Sequence, residues 1–355
     1  MSDRTSAKPA SSGANNAEPQ KKNPASDSGV RGADRFFRLI PPVLGLLLAV
    51  CYTAAMSRDF DFAIGHFEPS SFLFGAAVFL GAAGAVLSVL SWILYTGRHA
   101  LTALPAPSPL SLSGAVLGAL LSVALCMQTL LNYGTARASE TAETLSPSKL
   151  FLISALFGLF LAVSLLLALS RGRRHRWYAL ICTLLGALSV NIAMFGAYFD
   201  FSLPLNSPVR NFTTLCHASV LLFLLSEARI CLAAEDKPED LPAGFQLFAS
   251  SACAVFGIGI GGGGALWQLI RSFSFGSEII GKTPEPNLPL LRLALYLAVG
   301  LIAADRLIHL SLRRLTPDEI AARRQAAREE KENKKNNPET SPADGDKKQN
   351  KSSEA

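Results

Sequence analysis

The stretch "SFLFGAAVFLGAAGAVLSVLSWILY", residues 71–95, runs for 25 residues without a charge. At about 1.5 Å per residue, a helix of that length reaches about 37 Å, enough to cross the ~30 Å hydrocarbon core of a bilayer. Inside hydrocarbon the backbone N–H and C=O groups find no water. A crossing segment must bond them within itself or within a closed barrel. Barrel strands alternate apolar with polar residues and are about half as long. This run is continuous, so it reads as a transmembrane helix.

Seven more runs of this kind fall at about 37–56, 111–131, 149–170, 177–199, 211–233, 246–270 and 288–309. The expected fold is therefore an all-α integral membrane protein with eight transmembrane helices. Composition agrees. Half of the residues are hydrophobic and 17% are charged, whereas soluble domains carry roughly 25%. The charges crowd into residues 1–38, a few loops and residues 311–355, and no stretch outside the runs could build a core. Residues 1–35 and 336–355 are polar, poor in large apolar side chains, and expected to be disordered. The first apolar run follows a long polar lead and is full-length, so it is expected to be retained rather than cleaved as a signal peptide.

Lys and Arg near the span ends set orientation. With the N-terminus cytoplasmic, sixteen such residues lie on the inner side and six on the outer. The strongest signal is "RGRRHR", residues 171–176. Both termini are expected in the cytoplasm. The net charge is +6, and its basic excess sits beside the apolar runs. That pattern names the lipid bilayer, and anionic headgroups at the cytoplasmic face, as partners rather than nucleic acid. A homo- or hetero-oligomer stays open. The expected location is a plasma membrane, in the manner of multi-pass proteins of bacteria.

Two phrases repeat: "FDFAIGHFEP" from Phe60 and "FDFSLPLNSP" from Phe199, 139 residues apart. The same offset carries spans one to four onto spans five to eight. It also matches Pro69 with Pro208 and Gly118 with Gly257. A four-plus-four internal repeat is expected, residues 36–170 and 171–310. An even number of spans per half makes the repeats parallel. Asp61 and Asp200 would then flank an outer mouth, or simply cap similar exit turns.

Ionisable groups inside a bilayer need a reason, because each costs on the order of 2.5–3.5 kcal/mol. Glu227, Arg229, Asp305 and Arg306 share a depth near the inner ends of spans six and eight. Cross-pairing of Glu227 with Arg306 and of Arg229 with Asp305 would relieve that cost, and so would snorkelling to the interface, since all four are near span ends. Gln128, Asn191, His217, Gln268 and Arg292 lie nearer the outer side. They form either interhelical hydrogen bonds or a polar vestibule. The run "GIGIGGGG", residues 257–264, allows two readings: a tightly packed helix or a broken one with free backbone groups.

The six cysteines all lie in apolar runs, and the five histidines form no pair at ligand spacing. No metal, cofactor or catalytic residue is assigned. Phosphate-loop, dinucleotide-binding, His-Glu-x-x-His and Gly-x-Ser-x-Gly motifs are all missing from the sequence. After span eight, Thr316, Pro317 and Glu319 form a capping box for a charged cytoplasmic helix within 311–335. Two functions fit. One is a small-molecule or ion transporter, or permease. The other is a non-transporting scaffold, sensor or accessory subunit acting through its cytoplasmic tails. An intramembrane enzyme fits least well.

Overall fold

The computed structural model describes residues 24–61, 65–103, 108–139, 147–167, 176–199, 207–232, 243–274 and 290–336. The chain divides after Phe36 into two compact units, and the second, Phe37–Ala355, carries the helical body. The helices are α1 (Pro24–Arg58), α2 (Phe72–Tyr95), α3 (Pro109–Ser139), α4 (Pro147–Leu167), α5 (Arg176–Tyr198) and α6 (Pro208–Leu232). Then α7 (Ala243–Phe256) continues through a π-helical turn (Gly257–Gly262) into α8 (Gly263–Ser274). Last come α9 (Leu290–His309) and α10 (Pro317–Asn336). Two short antiparallel ribbons complete the fold. In one, β1 (Phe60–Asp61) pairs with β2 (His66–Phe67); in the other, β3 (His99–Ala103) pairs with β4 (Ser311–Arg314).

Local chemistry sets the starts of these helices. Pro109, Pro147, Pro208 and Pro317 each open one, where a missing N–H costs nothing and φ is already set. Ser71 caps α2: its hydroxyl accepts from the Phe74 N–H at 3.0 Å and donates to the Asp59 carboxylate. That second bond ties the start of α2 to the end of α1.

Six helical segments are long and apolar enough to cross a membrane: Asp34–Arg58, Phe72–Tyr95, Pro109–Leu131, Trp177–Tyr198, Pro208–Leu232 and Ala243–Phe273. Leu152–Leu167 is apolar but shorter, and α9 includes Arg292, Asp305 and Arg306. Helices thus stand at all eight expected places, and six of them meet the length and apolarity of a span. The chain is a multi-pass membrane protein by this measure. Its exposed surface is rich in Leu, Val, Ile and Phe, with Leu120, Phe79 and Leu131 among the most exposed. Water would not tolerate so much apolar surface, but lipid tails do.

Side-chain bonds identify the two ends of the bundle. At one end Arg38 donates to the Leu310 carbonyl, Ser108 donates to Asp305, and Arg306 meets Glu227. At the other, Ser207 donates to the Gly65 carbonyl and Arg210 to the Tyr198 carbonyl, each at 2.8 Å. The chain therefore enters the body near Phe37 and leaves it at Leu310 on the same end. Exposed aromatics mark both ends: Trp92, Trp177 and Tyr178 at the first, Phe72, Tyr198, Phe199 and Phe273 at the second. Interfacial aromatics take such positions in membrane proteins. The helical rise from Phe72 to Trp92 is about 30 Å, the thickness of a hydrocarbon core.

Two helix bounds differ from those expected, and the repeat is not confirmed. Helix α1 starts at Pro24, ahead of the boundary drawn at 36. Once a span has nucleated a helix, each added residue costs little. Residues 311–314 are strand β4 rather than the start of the charged helix. The two-fold relation between 36–170 and 171–310 is also not visible in the helix neighbourhoods. The window of α7–α8 is 89% buried, against 44% for α3, its expected counterpart. Helix α2 lies along α7, whereas α6 and α3 make no comparable contact among the described residues. Asp61 sits in β1 opposite His66; Asp200 and the 336–355 tail beyond Asn336 lie outside the described residues.

Candidate functional site

The continuous helix α7–α8 is the axis of the body. It is by far the most enclosed of the apolar helices, and its glycine run explains how neighbours come so near. A Cβ built on Gly257 would stand 2.9 Å from the Tyr296 carbonyl oxygen of α9. One on Gly259 would stand 2.5 Å from the Leu48 side chain of α1, and one on Gly263 2.8 Å from the Ala49 carbonyl oxygen. Alternate glycines thus admit α9 on one side and α1 on the other. The Thr53 hydroxyl reaches the Gly263 carbonyl at 2.9 Å and the Ala49 carbonyl at 2.8 Å, joining α1 to α8. The glycine run is therefore a packed helix with a π-helical turn, not a break. Such turns are frequent at functional sites.

Beside this turn lies a buried polar centre. His217 of α6 is fully buried. Its Nδ1 is 2.8 Å from the Thr213 carbonyl oxygen. A carbonyl only accepts, so Nδ1 carries the proton and Nε2 presents a lone pair. Nε2 is buried and has no hydrogen-bond partner among the described residues. The imidazole stands edge-on to the Tyr296 ring, 5.0 Å between centroids, and Tyr296 is hydrogen-bonded to Arg292. Cys216 lies against the backbone of Gly261 and near Tyr52. Above this centre the rings of Tyr52, Phe212, Phe74, Phe67 and Phe60 touch in sequence, with Phe67 and Phe74 stacked at 4.2 Å. The first Phe-Asp-Phe phrase therefore feeds an aromatic cap, while Phe199 of the second is exposed.

Of the five outer-side polar residues, His217 and Arg292 lie in this centre. Gln128 is exposed on α3; Asn191 on α5 and Gln268 on α8 are half-buried. Sequence reasoning missed Tyr52, Arg210 and Tyr296. Arg210 and Tyr296 are both almost wholly buried, and nothing in their spacing set them apart from interfacial residues.

A second polar group sits at the Leu310 end. Arg306 and Glu227 are 3.4 Å apart, with side chains 13% and 15% exposed, and Gln246 donates to Glu227 at 3.1 Å. The expected pair of Arg229 with Asp305 is replaced. Asp305 takes His309 at 3.0 Å and the Ser108 hydroxyl, while Arg229 lies 5.0 Å over the Phe245 ring. Each ion found a nearer partner on its own side: His309 is one turn from Asp305, and Phe245 offers a π-face to an exposed guanidinium.

Among the described residues no group of three or more His, Cys, Asp or Glu could hold a metal ion. No family model matches the chain, and neither a curated protein nor a solved structure matches it at a significant level.

Proposed function

We propose that this chain is a non-transporting membrane protein: a scaffold, sensor or accessory subunit. In this reading it crosses a plasma membrane eight times with both termini cytoplasmic. It works through the end that carries β3, β4 and α10, where a partner chain or a second copy binds. One observation carries the reading. The glycines of the axis leave no room for a methyl group against α1 and α9. Alternating access needs helices that part near the midplane, and here backbone meets backbone. The Lys and Arg bias toward the Leu310 end supports the orientation, and the charged α10, with no apolar stripe to bury, supports a solvent-side role.

The test is isolation from native membranes in mild detergent. Chains recovered with the full-length protein should be lost when residues 317–336 are deleted and kept when the exposed Leu120 on α3 is changed to Ala. Recovery indifferent to the deletion overturns the reading.

A transporter of a small molecule or ion is the second reading. The observation that favours it is the buried centre of His217, Tyr296 and Arg292 beside the π-helical turn. Polar groups at that depth are uncommon without a task. In that reading α7–α8 would have to straighten its π-helical turn to open a path.

A further inference from the structure

Strand β4 has one paired edge and one open edge. Its register against β3 sets His99 opposite Arg314, Ala100 opposite Arg313 and Leu101 opposite Leu312. The Leu315 N–H donates to the Arg98 carbonyl at 2.9 Å, and these two residues continue the same register. In an antiparallel ladder, pairs that exchange hydrogen bonds alternate with pairs that do not. Ala100 and Arg313 are therefore a bonded pair, and the backbone N–H and C=O groups of Leu312 and Arg314 point away from β3. Among the described residues these groups have no hydrogen-bond partner. Helix α7 packs along β3, whereas no described element besides β3 makes a comparable contact with β4. Ser311 and Arg314 are exposed, and Leu312 and Arg313 are half-buried. Buried Leu310 and Leu315 pin the strand at both ends.

We infer that the open edge of β4 takes an extended, acidic segment of a partner protein as a third strand. An unpaired strand edge is a ready template for another chain, and main-chain hydrogen bonds supply the affinity in such additions. Charge selects the occupant. Glu319 is committed to Arg313 at 2.9 Å, while Arg314 stays exposed beside the edge. An acidic side chain on the added strand would sit across from Arg314, and opposite charges so placed stabilise a ladder. A second copy fits poorly. If the Leu312 and Arg314 backbones of two copies exchanged bonds about a two-fold, the two Arg313 side chains would face each other, and like charges directly opposite destabilise. A strand already pinned on the body needs little ordering to accept a partner, which favours binding. The inference rests on the proposed reading that this end receives a partner chain, and it supplies that partner's chemistry.

The test follows backbone amide hydrogen exchange in the full-length protein in detergent, residue by residue, by NMR. In the free protein the Arg313 N–H, bonded to β3, should exchange slowly, and the Leu312 and Arg314 N–H groups fast. The probe is a short synthetic peptide of alternating valine and glutamate. At millimolar concentration it should slow exchange at Leu312 and Arg314 at least tenfold. The same peptide with its backbone nitrogens methylated cannot add a strand and should slow neither. A valine and lysine peptide should bind more weakly. An opposed charge pair across strands is worth up to about fivefold in binding, so Arg314→Gln should weaken the glutamate peptide by about threefold or more. Arg229→Gln, exposed at the same end on α6, should change nothing. The inference is overturned by unchanged exchange at Leu312 and Arg314, by equal slowing from the methylated peptide, or by a lysine peptide that binds as tightly. Slow exchange at both amides without peptide would mean a covered edge; if it grew with protein concentration, the cover would be a second copy. Either result also overturns it. Deleting residues 317–336 should leave peptide binding intact. Native partners lost on that deletion, with no peptide effect, would sink this inference and leave the proposed function standing. Peptide binding with native partners indifferent to the deletion would do the reverse.

Discussion

Gly257 of the π-helical turn and Gly300 of α9 meet backbone to backbone: a Cβ on Gly300 would lie 2.9 Å from the Gly257 carbonyl carbon and 2.8 Å from the Ile258 nitrogen. Backbone atoms on opposing helices cannot step aside as a side-chain tip can. Gly300→Ala should therefore destabilise the protein by about 1–3 kcal/mol, the usual range for overpacking. At Gly75 of α2 a Cβ meets nothing within 4 Å, so Gly75→Ala should be neutral or slightly stabilising. Thermal unfolding in detergent compares them, and equal effects of the two would contradict the packing described.

The bond between Arg306 and Glu227 should behave as a coupled pair. Both side chains are mostly enclosed, so removing one leaves the other charge poorly solvated. Arg306→Met and Glu227→Gln should each cost about 1–3 kcal/mol, and the double variant less than their sum. A double-mutant cycle on unfolding free energy reads this directly. Additive losses would mean that the two do not interact.

Glu319 should report on the start of α10. The Thr316 backbone N–H, then the Arg313 guanidinium, hold its carboxyl below the usual glutamate range. A carboxylate lowered in the folded state stabilises at pH above its ordinary value and loses that contribution as pH falls through the lowered one. The Thr316 amide resonance should therefore titrate with a midpoint below that of an ordinary glutamate, and Arg313→Gln should raise the midpoint. A wild-type midpoint at or above the ordinary value contradicts the capping box.

The three tryptophans should report depth. Trp92 and Trp177 are exposed at one end, while Trp267 is 4% exposed. In single-tryptophan variants, lipids brominated near the headgroup should quench Trp92 and Trp177 strongly and Trp267 weakly. Stronger quenching of Trp267 would show that the lipid-facing surface has been assigned to the wrong side chains.

Much of the fold was legible because hydropathy is local. The uncharged run at 71–95, the capping Ser71 and the prolines at 109, 147, 208 and 317 each speak for their own helix. The pairing of Glu227 with Arg306 was also readable, since both sit at one depth from helix ends. What escaped depends on distant residues. His99 and Arg314 pair across more than two hundred residues, and nothing within "HALTA" or "SLRR" announces a partner. The aromatic chain from Tyr52 to Phe60 likewise needs three helices and a ribbon to exist. The glycine run was visible as unusual, but only the positions of Leu48, Ala49 and Tyr296 decide between a packed helix and a broken one. The 139-residue offset rested partly on matches among Ala, Leu and Gly, which recur by chance in apolar helices. The unequal burial of α3 and α7–α8 is a property of the whole assembly.

The central claim is a closed core around α7–α8, and two native thiols test it without substitution. Cys216 and Cys253 are both fully buried, Cys216 against Gly261 of the π-helical turn. The protein in native bilayers is exposed to a membrane-impermeant maleimide from both sides, then mapped by mass spectrometry against an unfolded control. A closed core predicts that neither cysteine is modified until the protein is unfolded. Modification of Cys216 or Cys253 in the folded protein would show a water-filled path to the axis, and would contradict the non-transporting reading.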